Sequence, residues 1–317
     1  MTMSGSDILK IAFRIDSGVG IGMGHLTRMS ALADAFGEYG GESSFFRSED
    51  EPIDYTGFDL VVADSYKLSD QYISDLNETG RFVLCYDDNA LYEYSCDALL
   101  NVNLHANELT FRFGSKKPKL LLGGKYTLLR REFWSCESIK IRERASRVFV
   151  CFGGTDIRNI TPVIVSAIQD ISGVEVVAVL GAVTCCDEEL MQLSKENVEI
   201  IKDPISISQI MKTCDIAVIS ASSMVYEIAA LGIPALTITQ IDNQEMIADY
   251  LGRYKLMKCI GDWDDLSTID LVNEVKSLLS DIDRRKNESA RLRSTVHCEG
   301  ALTAAGEIVR LMNETVR

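Results

Sequence analysis

The chain has 317 residues, of which 46% are hydrophobic and 25% are charged, a composition typical of a globular protein long enough for two domains. Its 47 acidic and 32 basic residues leave a formal net charge of -15, which argues against nucleic acid or an anionic membrane as a partner. The alternative interpretation of the acidic charge is that it only keeps the protein soluble. An acidic chain can still bind a phosphate ligand, because helix N-termini and backbone amides bind phosphate without Lys or Arg.

The cysteines favour a reducing compartment. There are nine, an odd number without any CxxC pair, which argues against a disulfide framework and against a zinc site. The start MTMSGSDILK is polar and leads into one short apolar strand, and no apolar run approaches the ~20 residues of a membrane span. We therefore expect a cytoplasmic protein that acts on a water-soluble molecule.

Short apolar runs alternate with amphipathic stretches through the first half of the chain. A strand is predicted at 11–15, a glycine-rich loop at 18–24 and a helix at 25–36. Further strands are predicted at 44–47, 60–63, 82–85, 99–102 and 119–122. This β-α-β alternation predicts a mostly parallel sheet covered on both faces.

The same pattern restarts after a charged stretch at 132–147. Strands are predicted at 147–152, 174–180, 198–201, 216–219 and 235–239, with a helix at 159–171 after the first of them. We therefore predict an α/β protein of two Rossmann-like domains facing a cleft, residues 1–143 and 144–317. A last helix at 301–312 closes the fold, and packing back on the first domain is one option for it.

The loop after the first predicted strand carries the main catalytic candidate. Gly20, Gly22 and Gly24 alternate, which differs from the GxGxxG spacing of dinucleotide sites. The next residue, His25, begins a helix, where the positive helix end disfavours the imidazolium and keeps the ring able to take a proton. A lone histidine is more often packed or capping, but the glycine loop favours a general base facing the cleft.

Other polar residues near this loop have weaker signals. Arg28 lies one helical turn after His25 and is expected either to bind a substrate oxygen or to pair with Asp16. Asp88 is interpreted as a cap or a sugar contact. Nothing stands at metal-ligand spacing, so we predict neither a metal nor a cofactor, although the spacing alone does not exclude a divalent ion.

The second domain opens with a turn suited to phosphate. Gly153 and Gly154 follow the predicted strand and let backbone N–H groups face an anion, and Thr155 adds a hydroxyl donor. Such a turn alone is weak evidence, since it occurs in many loops.

Two further strand ends in this domain strengthen the prediction of a nucleotide-sugar site. Ser222 and Ser223 are expected to cap a helix whose N–H groups meet a diphosphate, with Glu227 one turn later placed to bind a ribose. The alternative is an ordinary cap and an exposed glutamate. Asn243 and Gln244, at the next strand end, offer amides that read sugar hydroxyls or phosphate.

Taken together, these segments resemble the PseG-type UDP-sugar hydrolases of pseudaminic acid biosynthesis, which have the glycosyltransferase-B fold and are similar to MurG. The segments that carry the resemblance are, in chain order, FRIDSGVGIGMGHLTRMSALA, DSY, YDDNA with LLNVNLHA, YTLLRREF, FGGTDIRN, ISASSMVYEIAALGIPAL and DNQ. They run over nearly the whole chain, and their joint spacing is more specific than any one of them.

The resemblance implies hydrolysis of UDP-2,4-diacetamido-2,4,6-trideoxy-β-L-altropyranose to UDP and the free sugar. Water attacks the anomeric carbon, and His25 stands at the position of the base. Because UDP is a good leaving group, a second carboxylate to protonate it is unnecessary. The resemblance also places Tyr66 as a cleft tyrosine, Asn243 as a substrate ligand, and Thr155, Ser222, Ser223 and Glu227 on the nucleotide-binding loops.

Two other functions remain open on the same residues. A MurG-like glycosyltransferase would move the amino sugar to an acceptor instead of water, but the acidic chain lacks the basic or apolar docking patch that many such enzymes carry. A non-catalytic binding protein would not need His25. The expected partner is a small UDP-amino sugar, and the default expectation for the oligomeric state is a monomer.

Overall fold

The computed structural model describes residues 8–16, 24–47, 50–65, 68–154, 156, 158–182, 190, 193 and 195–315. The chain divides into two compact units. Unit 1 contains Met1–Trp134 with His297–Arg317, and unit 2 contains Ser135–Val296.

Unit 1 is built on a six-stranded parallel sheet in the order β2-β1-β3-β4-β6-β8. Its strands are β1 (Leu9–Ile15), β2 (Gly41–Arg47), β3 (Leu60–Asp64), β4 (Phe82–Tyr86), β6 (Ala98–Asn101) and β8 (Lys119–Leu122), and a small second sheet pairs β5 (Glu93–Tyr94) with β7 (Arg112–Phe113). The helices are α1 (Gly24–Gly37), α2 (Asp70–Glu78) and α9 (Gly300–Thr315).

The central strands of this sheet are buried on both faces. Along β1 the side chains alternate, so Ile11 and Phe13 point into the core shared with α1 and α9, while Ala12 points into the core shared with α2. Leu32 of α1 and Ile308 of α9 are fully buried in the first of these cores. The continuous apolar runs of the sequence therefore become the middle of a three-layer sandwich.

Unit 2 repeats the plan with a parallel sheet in the order β11-β10-β9-β12-β13-β14. Its strands are β9 (Arg147–Cys151), β10 (Glu175–Leu180), β11 (Val198–Lys202), β12 (Ile216–Ser220), β13 (Ala235–Thr239) and β14 (Lys258–Asp262). The helices are α3 (Ile160–Ile168), α4 (Ile207–Met211), α5 (Met224–Leu231), α6 (Glu245–Arg253), α7 (Thr268–Ser280) and α8 (Ile282–Thr295).

The strand order reverses direction at one point in each sheet. The chain leaves β1 toward β2 on one side and later returns to β3 on the other, and β9 likewise lies between β10 and β12. In open parallel sheets, ligands bind outside the carboxyl ends of the strands at such a point of reversal. The residues that follow β1 and β3 in unit 1, and β9 and β12 in unit 2, are therefore the ones to examine.

The boundary between the units differs from the predicted one at residue 143. The division falls after Trp134, because the charged stretch that follows is fastened to unit 2. There the Ile139 amide donates to the Leu231 carbonyl at 2.9 Å, and the buried Arg285 guanidinium donates to the carbonyls of Arg142 and Glu143 at 3.0 and 3.2 Å. The last helix, α9, packs in unit 1.

The predicted fold class, two Rossmann-like α/β domains, is confirmed. The edge strand β14 was not predicted, because KCIGD is only half-buried, contains Gly261 at φ 140° and shifts register against β13. Among the described residues, no helix is both long and apolar enough to cross a membrane.

Candidate active site

The carboxyl edge of the unit 1 sheet brings His25 onto an acidic residue. His25 is the second residue of α1 and is 4% exposed. Its Nδ1 lies 2.8 Å from Oδ1 of Asp64, the last residue of β3, which is 1% exposed. An ionised carboxylate only accepts hydrogen bonds, so the ring donates from Nδ1, and Nε2 becomes the nitrogen that can take a proton. This is the orientation that a carboxylate imposes on a catalytic histidine.

Arg28 joins the same carboxylate from the next turn of α1. Its Nε donates to Asp64 Oδ2 at 2.7 Å, its Nη1 donates to Asp88 Oδ2 at 2.8 Å, and its Nη2 lies 3.0 Å from His25 Nδ1. Burial alone would lower the pKa of the Arg28 guanidinium, but the carboxylates of Asp64 and Asp88 raise that pKa well above its ordinary value. Arg28 is therefore a permanent cation beside the imidazole.

Arg28 and Asp16, whose pairing was one of the two alternatives predicted for Arg28, have different hydrogen-bond partners in the structure. Asp16 follows β1, is buried, and accepts hydrogen bonds from Ser65 Oγ at 2.6 Å and from Arg14 Nη1 at 2.9 Å. Arg14 also pairs with Glu51 at 2.9 Å. Arg28 projects from α1 toward the ends of β3 and β4 instead, where two carboxylates are closer.

Asp88, interpreted from the sequence as a cap or a sugar contact, is an ion-pair partner of Arg28. Asp64 belongs to the DSY segment, but it was not predicted to be a site residue. The sequence did contain a signal for Asp64, because this residue ends a fully buried strand. Ligands bind at the carboxyl ends of parallel strands, and the same rule pointed to the strand ends of the second domain.

In unit 2, the turn after β9 has the geometry that its glycines allow. Gly153 adopts φ 93°, a left-handed conformation that favours glycine. A Cβ added to Gly181 would lie 2.0 Å from the Gly154 carbonyl oxygen, so the turn packs directly against the chain that leaves β10. This close packing of the two backbones fixes the position of the turn of Gly153 and Gly154 at the carboxyl ends of β9 and β10.

The amino end of α3 is occupied by a residue of the same turn. Asp156, 4% exposed, accepts from the Ile160 amide through Oδ1 and from the Thr161 amide through Oδ2, each at 2.9 Å. This carboxylate uses the first-turn N–H groups that would otherwise attract an anion. The Ile160 and Thr161 amides at the start of α3 are therefore already used within the protein.

The turn between β12 and α5 differs from the predicted cap. Ser223 is the N-cap residue of α5 but makes no side-chain cap hydrogen bond, and the Ser222 hydroxyl lies 2.8 Å from the Ser220 hydroxyl instead. The amino end of α5 is thus not occupied by a side chain of its cap residue. Glu227, in the first turn of α5, is 8% exposed, so the alternative of an exposed surface glutamate is wrong.

The amides after β13 have different surroundings. Gln244 is buried, and its Oε1 accepts from the Gln240 amide at 2.9 Å, which makes it part of the turn's own structure. Asn243 is exposed. Of these two predicted ligands, Asn243 is therefore the one that is exposed to solvent.

Several predicted site residues lie outside the described part of the chain, and these are Gly22, Tyr66 and Thr155. Gly24 is the first residue of α1. In the part that is described, no cluster of three His, Cys, Asp or Glu side chains is placed to hold a metal ion.

The fold is that of the glycosyltransferase-B enzymes. MurG of Acinetobacter baumannii superposes with a TM-score of 0.66 at 12% identity, covering 95% of this chain and 99% of that one. LpCGTa, solved with UDP, gives 0.65 at 13% identity over 98% and 99% of the two chains. The spinosyn rhamnosyltransferase SpnG, complexed with thymidine diphosphate, gives 0.64 at 13% identity over 95% and 100%.

The predicted resemblance is confirmed by sequence comparison. The chain is 29% identical over 273 residues to the UDP-2,4-diacetamido-2,4,6-trideoxy-β-L-altropyranose hydrolase of Campylobacter jejuni, covering 77% of this chain and 97% of that enzyme. It is 24% identical over 282 residues to an uncharacterized protein of Methanocaldococcus jannaschii, covering 77% of this chain and 58% of that protein. No family model matches. Together with the fold, these similarities confirm the prediction of an enzyme.

Proposed function

We propose that this enzyme hydrolyses UDP-2,4-diacetamido-2,4,6-trideoxy-β-L-altropyranose to UDP and 2,4-diacetamido-2,4,6-trideoxy-L-altrose, a step of pseudaminic acid biosynthesis, in the cytoplasm. The similarity to the Campylobacter hydrolase supports this substrate. The observation that carries the mechanism is the 2.8 Å contact between His25 Nδ1 and Asp64 Oδ1 at the amino end of α1.

In the proposed reaction, a water oxygen forms a bond to the anomeric carbon while the bond from that carbon to the diphosphate oxygen breaks. His25 Nε2 takes the proton of the attacking water, and the bonding electrons leave with UDP. Asp64 holds the ring in the required tautomer and stabilises the imidazolium that forms. UDP departs as an anion without needing a proton from a second carboxylate.

Unit 2 supplies the nucleotide site in this proposal. The amino end of α5, with Ser222 and Ser223, stabilises the diphosphate, because helix N-termini favour negative charge. Glu227, buried in the first turn of that helix, is assigned to the ribose hydroxyls. The other assigned nucleotide ligands are Gly153, Gly154 and Thr155, and the assigned sugar ligands are Asp16, Gly22, Gly24, Tyr66, Asn243 and Gln244.

A glycosyltransferase is the second candidate, because the fold is shared with MurG and with other sugar transferases. On that alternative the same base would deprotonate an acceptor hydroxyl rather than water. The acidic net charge of -15 disfavours docking on an anionic membrane that holds a lipid acceptor.

One assay tests the proposal. Purified protein is incubated with the UDP-diacetamido-trideoxy-altrose, and UDP release is followed by phosphorus NMR with and without a lipid acceptor. The hydrolase releases UDP without acceptor, whereas a transferase releases it only with acceptor. His25→Asn is expected to lower turnover by roughly 100-fold or more while UDP affinity measured by calorimetry stays unchanged. Turnover by H25N near the unaltered rate would remove His25 from the mechanism.

A further inference from the structure

The guanidinium of Arg28 is held by acidic and aromatic groups from two different strand ends. Asp64, at the end of β3, and Asp88, after β4, accept from it on two sides. The ring of Tyr86 lies beneath its plane, 4.1 Å from the guanidinium carbon to the ring centroid. Arg28 is therefore fixed within the protein, in contrast to an arginine that waits for a substrate oxygen.

Asp88 is itself held in place. Its Oδ1 accepts from the Tyr86 hydroxyl at 3.1 Å and from Asn103 Nδ2 at 3.0 Å, and the same Asn103 nitrogen lies 3.3 Å from the Asp88 carbonyl oxygen. The side chain of Asp88 is 14% exposed. Two donors other than Arg28 therefore hold the Asp88 carboxylate in one orientation, and a carboxylate restricted in this way directs the cation that it binds.

We propose that Asp88 is a positioning residue for His25, acting through Arg28: it holds the guanidinium against Asp64 and balances its charge beside the imidazole. The inference rests on the proposed role of His25 as the base. The chain of contacts runs from Asp88 to Arg28, from Arg28 to Asp64, and from Asp64 to His25, and each link is a charged hydrogen bond or ion pair.

The charges that face the imidazole determine the direction of the effect. Arg28 comes from α1, Asp64 from β3, and Asp88 from the segment after β4. Farther from the ring on the same sheet edge lie Asp87, Tyr86, and Asp16 paired with Arg14. Arg28 disfavours the imidazolium, and the two carboxylates favour it. Asp88 thus offsets part of the effect of the guanidinium, and its removal leaves the ring harder to protonate.

The test measures the pKa of His25 directly, by nitrogen-15 NMR of histidine-labelled protein. The chain has three histidines, and the H25N spectrum assigns the signal. Asp88→Asn is expected to move the pH response of the His25 signal and the acid limb of the kcat/KM profile to lower pH, and Arg28→Met to move both to higher pH, because the first substitution removes a negative charge and the second a positive charge. Asp75→Asn, an exposed residue that accepts from Gln71, is the matched control and should move neither.

Shifts of opposite sign in D88N and R28M distinguish an effect of charge on His25 from general damage to the fold. Damage to the fold would move the His25 signal in the same direction in both variants. Thermal unfolding of each variant establishes that it is folded. If D88N does not fold, Asn103→Ala, which removes a donor to Asp88 Oδ1, tests Asp88 and is expected to move the acid limb in the same direction as D88N. A His25 pKa that stays within about 0.2 pH unit in the folded variants overturns the proposal. An unaltered protein that releases no UDP overturns the proposed function instead, and the NMR shifts then still decide whether Asp88 acts on His25.

Discussion

At the carboxyl end of β3, one buried carboxylate accepts from both a histidine and an arginine. Asp64 lies within 2.8 Å of His25 Nδ1 and within 2.7 Å of Arg28 Nε. Burying the charge of Asp64 is costly unless the carboxylate is paired and hydrogen-bonded. Its partners are His25 and Arg28, which lie three positions apart on α1. The amino end of this helix is therefore organised by Asp64 as much as by the glycine loop before it.

Asp64→Asn tests this residue. The amide retains the size of the side chain but lacks a charge to orient the imidazole and stabilise its protonated form, so kcat is expected to fall by about 10²- to 10⁴-fold. The Kd for UDP, measured by calorimetry, should not change, because the nucleotide is assigned to unit 2. Asp34→Asn, on the exposed face of α1, is the matched control and should retain the unaltered kcat. A D64N enzyme within threefold of the unaltered rate would contradict the role given to Asp64.

At the scale of single elements, the amino ends of α3 and α5 differ in what they offer an anion. The first turn of α3 is capped by the buried carboxylate of Asp156, whereas α5 has no side-chain cap from Ser223. Both helices follow central strands of the same parallel sheet, so the sheet alone does not distinguish them. The carboxylate of Asp156 accepts from two amides in the first turn of α3, whereas Ser223 leaves the first turn of α5 without a side-chain cap. This difference is the reason that the proposed nucleotide site places the diphosphate at α5.

The cap on α3 predicts a measurable loss of stability. Asp156→Ala leaves two buried amides without their acceptor, and the free energy of unfolding from urea titration is expected to fall by about 1–3 kcal/mol. Asp170→Ala removes a carboxylate from an exposed pair with Lys195 on the same unit, and a surface pair of this kind contributes only about 0–1 kcal/mol. Equal effects from the two substitutions would show that the α3 cap is not a significant source of stability.

At the scale of the whole molecule, the chain returns to unit 1 for its last helix. Ile308 and Ala304 of α9 are fully buried in the core that β1 and α1 also line. Gly300, at the start of α9, has no room for a side chain, because an added Cβ would lie 2.5 Å from the backbone of Thr127. Unit 1 is thus built from both ends of the chain, and its core is incomplete without the C-terminal segment.

Ile308→Ala is expected to destabilise unit 1 specifically. Removing a fully buried isoleucine side chain costs about 2–5 kcal/mol through lost burial and the cavity that remains. Tryptophan fluorescence during urea unfolding checks this in a Trp263→Phe background, where the remaining tryptophan is Trp134, buried in the unit 1 core. Ile269→Ala, at a position 73% exposed on α7 of unit 2, is the control and should change the transition little. A transition that I308A leaves unmoved would mean that α9 does not contribute to the stability of unit 1.

The sequence by itself determined the class of fold and the location of the main candidate site. Short, continuous apolar runs that alternate with amphipathic stretches predict buried parallel strands, and the glycine loop before His25 predicts a side chain at a helix amino end. These signals are local, since each depends on residues within one or two turns of the chain. The resemblance added the substrate class, which no periodicity contains.

Only the tertiary structure decided which charges meet. Asp64 is 39 and 36 positions from its partners His25 and Arg28 on α1, and Asp88 is 60 positions from Arg28. Strand order rather than sequence distance brings these groups to one edge of the sheet. The attachment of the charged stretch after Trp134 to unit 2 and the return of α9 to unit 1 have the same origin. Each is a contact between segments that a linear pattern does not relate, and burial of those segments against one another selects it.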